Sequence, residues 1–363
     1  MDFTFSAEQD ELRSSVRAFL EREAGGAYVR AMIDDDAGFT PEMWRKISEL
    51  GWPATLVPAE AGGMGLGMVD VVVILEEMGR FPFPGPFLSS SVLATRAAVV
   101  LGLHDLYGPL ATGDQRGTVA LEEYGHGDPV ERVRTRAHRR GDGWHLTGTK
   151  LVVDGHTADW ALVAARTDTG LGTFLLDRPE AELQGSTDVC RKLTVLRLDD
   201  RRAERVGSTD DHTAAWWRVA DDGAVALAAE LVGSMEQAHH LAVEYAKERV
   251  QFGRPIATFQ AIKHKAAEML QRLTLARVGT EYAAWASDVD DPQRETAAAM
   301  AKADAGEAAV YLTGECIQIH GGVGFTWDCD AHLHYRRAKA NDLLLGGQSW
   351  HRGRVAARAL QPA

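Results

Sequence analysis

Glu248-Arg-Val-Gln-Phe-Gly-Arg254 and Gln318-Ile-His-Gly-Gly-Val-Gly-Phe-Thr326 each close a long, Ala-rich stretch of helical periodicity, and neither is needed to build a helix. Arg249 offers a permanently charged, planar fork suited to phosphate oxygens. Gly321, Gly322 and Gly324 carry no Cβ, so the backbone there can approach a ligand closely. Taken singly, each has a plainer reading. Arg249 could be a solvated cation at a helix end, and Gly321-Gly322 a helix C-cap.

Working outward, the 3.6-residue period dominates from Ala224 to the end. Ala228, Leu231, Met235, Ala238, Ala242 and Tyr245 share one face; Ile262, Ala266, Met269, Leu273 and Ala276 share another. Ala301, Ala305, Ala308, Leu312, Cys316 and Ile319 make a third, so three or four long antiparallel helices form a bundle. Between Thr118 and Val219 the apolar runs are short and separated by Gly, Asp and Arg clusters: 119–121, 144–146, 151–153, 160–163, 173–176, 194–198 and 216–219. That pattern predicts an antiparallel sandwich or barrel, ended by Asp221-Asp-Gly223.

The first 115 residues read as mostly helical. Ser6 caps a helix whose Leu12, Val16, Phe19 and Leu20 share a face, and Thr40 caps another over Pro41–Leu50. Pro58 to Gly67 is a loop, Val69 to Met78 a buried helix, and Phe81-Pro-Phe-Pro-Gly-Pro86 breaks it. The expected domains are therefore 1–115 (helical), 116–222 (β) and 223–363 (helical), an α+β class overall.

Composition narrows the function classes. With 363 residues, 45% hydrophobic and 25% charged, the chain is an ordinary globular one. Its formal net charge of −13 argues against nonspecific binding to nucleic acid or anionic membrane. Cys190, Cys316 and Cys329 lie far apart, which fits free thiols in a reducing compartment and no metal site. Cys329 near His332 or His334 could be read as a nucleophile, but nothing adjacent marks an activated thiol. No apolar run is long enough to span a membrane, and residues 1–6 lack an export signal, so a cytoplasmic protein is expected.

The three-part order, with Arg249-x-Gln-Phe-Gly253 after one bundle helix and Gln318-x-x-Gly-Gly-x-Gly-Phe325 after another, resembles the acyl-CoA dehydrogenase family across essentially the whole chain. Gly62-Gly-x-Gly65, Glu76-Glu-Met-Gly79 and Gly148-Thr-Lys150 add to the likeness. The resemblance implies an N-terminal helical domain, a middle antiparallel β-sandwich or barrel, and a C-terminal four-helix bundle. It also implies FAD held at a subunit interface. On that reading Arg249, Gln251, Phe252, Gln260, Gln318, His320, Gly321 and Gly322 are what this chain gives to a neighbour's cofactor.

The chain's own half of such a site departs from the family's pattern. Leu121-Glu-Glu-Tyr-Gly-His-Gly-Asp128 stands where the family has Leu-Thr-Glu-Pro-x-Ala-Gly-Ser-Asp, and Val152-Val-Asp154 where it has Trp-Ile-Thr. The carboxylate that removes the substrate α-proton is expected at position 345, which is Leu345, or in some members at 223 or 224, which are Gly223 and Ala224. Asp342, Asp222 and Glu230 are the substitutes within reach, Asp342 being the weak first candidate. The pattern resembles the small, Glu-lacking subunits of bacterial heteromeric acyl-CoA dehydrogenases, arranged α₂β₂. The implied partners are a bulky acyl-CoA such as a steroid-derived thioester, a homologous subunit carrying the Glu, and an acceptor such as an electron-transfer flavoprotein. Two alternatives stay open at this point: a self-sufficient homomeric FAD-dependent dehydrogenase or oxidase with an unusual base, and a non-catalytic acyl-CoA-binding paralogue.

Overall fold

In the computed structural model, which describes residues 5–360, helices α1 (Ala7–Glu23), α2 (Gly26–Asp34), α3 (Pro41–Glu49) and α4 (Met68–Arg80) open the chain. The Ser6 hydroxyl accepts from Gln9 N at 3.3 Å while Ser6 N donates to the Gln9 side chain, a reciprocal cap. Thr40 Oγ1 accepts from Met43 N, as its position before Pro41 foretold. After the Pro82–Pro86 break, a wide π-helical run, Phe87–Ala94, leads directly into α5 (Thr95–Leu101). It is buried on all sides, which no amphipathic pattern could announce. α6 (Tyr107–Thr112) completes this part.

Seven strands follow: β1 (Gly117–Ala120), β2 (Arg136–Arg140), β3 (Gly143–Val153), β4 (Trp160–Arg166), β5 (Leu171–Asp177), β6 (Ala181–Gln184) and β7 (Leu193–Val206). β4, β2, β3, β7 and β5 pair in turn and β5 returns to β4, so the sheet closes on itself. Leu146, Val163, Phe174, Leu196 and Leu198 fill its interior. The pairing is mostly antiparallel, as expected, but β1 runs parallel to β4 and β2 meets β4 in parallel at Arg136 and Arg166. The runs 144–146 and 151–153 belong to one strand whose register shifts between Leu146 and Gly148. A side chain at Gly148 would strike Thr135, so the shift is where two backbones come close.

The strand expected at 216–219 is helix. α7 runs unbroken from Thr213 to Glu248, so the boundary expected at 222 falls inside it. Trp216 and Val219 favour strands in isolation, but here Trp216 buries its ring and donates Nε1 to Thr173 Oγ1 at 3.0 Å. Asp221 and Asp222, read as a turn, are buried helix residues. Each is matched by arginine: Asp221 by Arg354, Asp222 by Arg96 and Arg218.

A short hairpin, β8 (Val250–Gln251) and β9 (Arg254–Pro255), links α7 to α8 (Gln260–Asp288). α9 (Arg294–His320), α10 (Ala331–Leu343) and α11 (Gln348–Ala359) complete the bundle. α4 crosses α7 at two glycines. A Cβ on Gly233 would collide with the Glu76 carbonyl, and one on Gly79 with that of Glu230, so bare backbones set the spacing. Arg13 pairs with Glu76 at 2.5 Å and Arg17 with Glu77 at 2.7 Å, carrying α1 onto the same crossing. No described helix is long and apolar enough to cross a membrane.

Candidate active site and cofactor-donating surface

The two diagnostic segments meet at one end of the bundle. α7 stops at Glu248, and Arg249 turns into extended backbone (ψ 119°) as its C-cap. Phe252 (φ 53°) and Gly253 (φ 77°) make the hairpin turn that throws the Phe252 ring outward, 92% exposed. At the other segment, the buried His320 ring stacks on Tyr245 of α7, with centroids 4.4 Å apart, and its Nδ1 lies 2.8 Å from Cys316 O. His320 therefore ties α9 to α7. Gly321 adopts φ 63°, and a Cβ on Gly321 or Gly322 would meet nothing within 4 Å. No contact inside the chain demands glycine at 322; the open space over both lies outside. Arg249, Gln251, Gln260 and Gln318 are all exposed there, and Arg249 has no ion-pair partner among the described residues.

The opposite half is closed. Leu345 (φ 55°) is buried, and a Cβ on Gly223 would lie 2.5 Å from Leu345 Cδ1 and 2.7 Å from Leu93 Cδ2. The two positions where the base was sought thus share one spot, and both are apolar. Leu345 N donates to Glu122 Oε1 at 2.5 Å, and His351 Nε2 lies 3.0 Å from Leu345 O. Lys302, fully buried, donates to Asp342 O at 3.0 Å and Gly346 O at 3.1 Å. Glu122 and Lys302 fasten this segment like a plug. Burial pushes the Glu122 carboxyl up to about 7, against the pull of the Leu345 amide and of Lys302 and Lys150. Burial likewise brings the Lys302 ammonium down to about 8.

What remains between Leu88, Leu93, Thr118, Leu121, Leu227 and Leu345 is a cavity of about 30 Å³. That is room for a water or two and far less than a flavin ring or an acyl chain needs. Asp154 sits beside it with φ 53°, accepting from Ser89 Oγ at 2.8 Å through one oxygen, the other being buried without a partner. Burial raises its carboxyl above the usual range. These residues do not fit FAD. The exposed surface around Arg249 and Gly321 does, because it offers a free guanidinium and open backbone.

None of the substitute bases reaches the spot. Asp342 lies against Gly306 of α9 and accepts weakly from Gln348 (3.4 Å). Asp222 is consumed by Arg96, Arg218 and Ser287. Glu230 accepts two bonds from Arg191 at 2.6 and 2.7 Å and one from Asn341 at 2.9 Å. Arg191 comes from the β domain, so this buried cluster, with Arg337 and Asp188, is a rivet between domains. Cys329 shares no hydrogen bond with His332 or His334 among the described residues; His334 instead pairs with Ser234 at 2.8 Å. No group of three or more metal-ligating side chains exists among the described residues.

One feature went unread in the sequence. A cleft of about 470 Å³ opens next to the plug between Asp128, Trp217, Arg218, Arg294, Trp350 and Arg354. The two Trp rings stack at 6.0 Å with Arg354 over both. Its parts come from four distant stretches, and Trp217 was assigned to a strand run, so no local signal pointed to it.

Comparison with known proteins follows the same lines. The sequence profile of the acyl-CoA dehydrogenase N-terminal domain matches residues 6–104, and that of the C-terminal domain matches 215–360. Acyl-CoA dehydrogenase IpdE2 of Mycolicibacterium smegmatis is 32% identical over 94% of this chain and 95% of its own length. A steroid ACAD variant, Tcur3481–Tcur3483, superposes with a TM-score of 0.88 at 32% identity, covering 96% of this chain and 97% of that one. The ChsE4–ChsE5 complex of Mycobacterium tuberculosis gives 0.90 at 29% identity, with both chains covered completely.

Proposed function

We propose that this chain, which belongs to the acyl-CoA dehydrogenase family of FAD-dependent CH–CH oxidoreductases, is the subunit without the base in a heteromeric member of that family. One observation carries the reading: Leu345 and Gly223, the two base positions, pack against each other in a site with about 30 Å³ of free space. A chain whose own half-site is filled, yet whose donating surface is open, has a role only beside a complementary homologue. That partner would supply the carboxylate and the flavin cradle.

FAD, when bound, accepts the substrate's β-hydride. This chain's contribution is to hold it: Arg249 neutralises pyrophosphate oxygens, and Gly321 and Gly322 let their backbone lie close against it. Gln251, Gln260 and Gln318 offer amides, and Phe252 an apolar face. His320 acts at one remove, by fixing the Gly321 turn through Tyr245. The substrate class is a bulky acyl-CoA such as a steroid-derived thioester, in keeping with the steroid ACAD among its relatives. The electrons would then pass to an acceptor such as an electron-transfer flavoprotein.

The test is Arg249→Ala in the chain co-expressed with a Glu-bearing homologue. Arg249 is exposed and has no ion-pair partner among the described residues, so the complex should still assemble but retain less than a tenth of its flavin. Undiminished flavin would overturn the assignment.

A further inference from the structure

A pocket of about 150 Å³ lies between α2, the end of α4, α7 and the start of α10. It shares no lining residue with the cavity beside Leu345, and none of the residues that would donate to FAD faces it. Val29, Phe81, Pro82, Leu241 and Leu333 make its walls apolar. Arg80, Gln237, Asp330 and His334 line it as well. Asp330 is spent on Arg30 at 2.5 Å. Arg80 gives Nη1 to Glu236, while its Nη2 has no hydrogen-bond partner among the described residues. His334 Nδ1 lies 2.8 Å from Ser234 Oγ. That hydroxyl has no other partner among the described residues, so it donates to Nδ1 and leaves the ring proton on Nε2. Burial, helped by the charges of Arg337 and Arg80, brings the His334 imidazole down to about 3, so the ring is neutral. Two donors on the pocket's lining residues, Arg80 Nη2 and His334 Nε2, are thus left without an acceptor.

The charges behind Arg80 point the same way. Arg13, Arg17, Arg80 and Arg277 share only three carboxylates, those of Glu76, Glu77 and Glu236. Glu281, the further acid beside them, is pushed up to about 7 by burial and by Glu76, so it cancels the surplus only in part. An anion is what this cluster lacks.

We propose that this pocket is a binding site for a small carboxylate with an apolar body. The two carboxylate oxygens match the two donors of Arg80 and His334, and the body fills the space between Phe81, Leu241 and Leu333. A space of this size holds a body of about four to six carbons.

The experiment titrates sodium isovalerate into the full-length chain by calorimetry, with 3-methylbutanol, the same skeleton without the carboxylate, as the control. Saturable binding of one isovalerate per chain is expected, with the alcohol weaker by about tenfold or more. Leu241→Trp fills the pocket from a half-buried position and should abolish the binding. In wild type, NOEs from the isovalerate methyls to Val29 and Leu333 should locate the ligand, a readout that holds even if Leu241→Trp fails to fold. An absence of binding up to about 20 mM overturns the proposal. Equal affinity for the alcohol overturns it too, because the two donors would then play no part. Binding that survives in folded Leu241→Trp, or NOEs to other residues only, places the ligand elsewhere and overturns it as well.

Discussion

Replacing Glu122 with glutamine should make the protein more stable at neutral pH, although it deletes a half-buried charge that accepts a hydrogen bond. Glu122 ionises at about 7 in the fold against 4.5 for the free side chain, the cause being burial. Holding it ionised therefore costs about 3 kcal/mol. The sign follows from proton counting. Between pH 4.5 and 7 the folded chain keeps a proton that the unfolded chain releases, so stability falls as pH rises through that window. Below 4.5 the group is neutral in both states and the penalty disappears. Glutamine is neutral throughout, and its carbonyl can still accept from Leu345 N. Lys302 loses an attracting carboxylate, which returns part of the gain. Glu122→Gln should therefore be more stable by about 1–3 kcal/mol at pH 8, shrinking toward zero near pH 4.5. Urea unfolding of both proteins at pH 5 and pH 8 measures it, and the difference between them isolates Glu122 from other buried acids. A gap that is equal at the two pH values, or larger at pH 5, would refute the plug as described.

Other expectations follow from neighbouring geometry. Leu345→Ala should lose about 2–5 kcal/mol by denaturant titration, because the cavity widens without collapsing, and should gain no flavin. Arg191→Met strands Glu230 between Arg337 and Asn341 in the interior, so a loss of about 3–5 kcal/mol is expected in the same assay. Gly233→Ala drives a methyl into the Glu76 carbonyl and should cost about 3 kcal/mol, read as a fall in Tm, since neither helix backbone can move alone.

Much of this was legible in the order of residues. Period alone located α4 and the bundle faces, and two caps, Ser6 and Thr40, came from side-chain chemistry that acts over three residues. β2 was missed because its residues, Arg136-Ala-His-Arg-Arg140, bury only Ala137, and a strand rich in arginine carries no apolar signal. Trp216–Val219 misled because propensity is local, whereas the helix there is set by tertiary burial. The absence of a base was visible at 345 and at 223. That both absences are one place, sealed by Glu122 from the β domain and Lys302 from α9, depends on contacts that reach across 223 residues in one case and 40 in the other. His320 has two readings from its motif, a hydrogen bond near the cofactor or packing at a helix end; its ring stacks on Tyr245, a pairing that only the meeting of α7 and α9 creates.

Flavin content per chain, from absorbance and intact mass, tests the central claim most directly, on the protein purified alone and then with a Glu-bearing homologue. The expected result is none alone and one flavin for every two chains in the complex. One flavin per chain in the protein alone would contradict it, since the space beside Leu345 would then have to open and hold the ring.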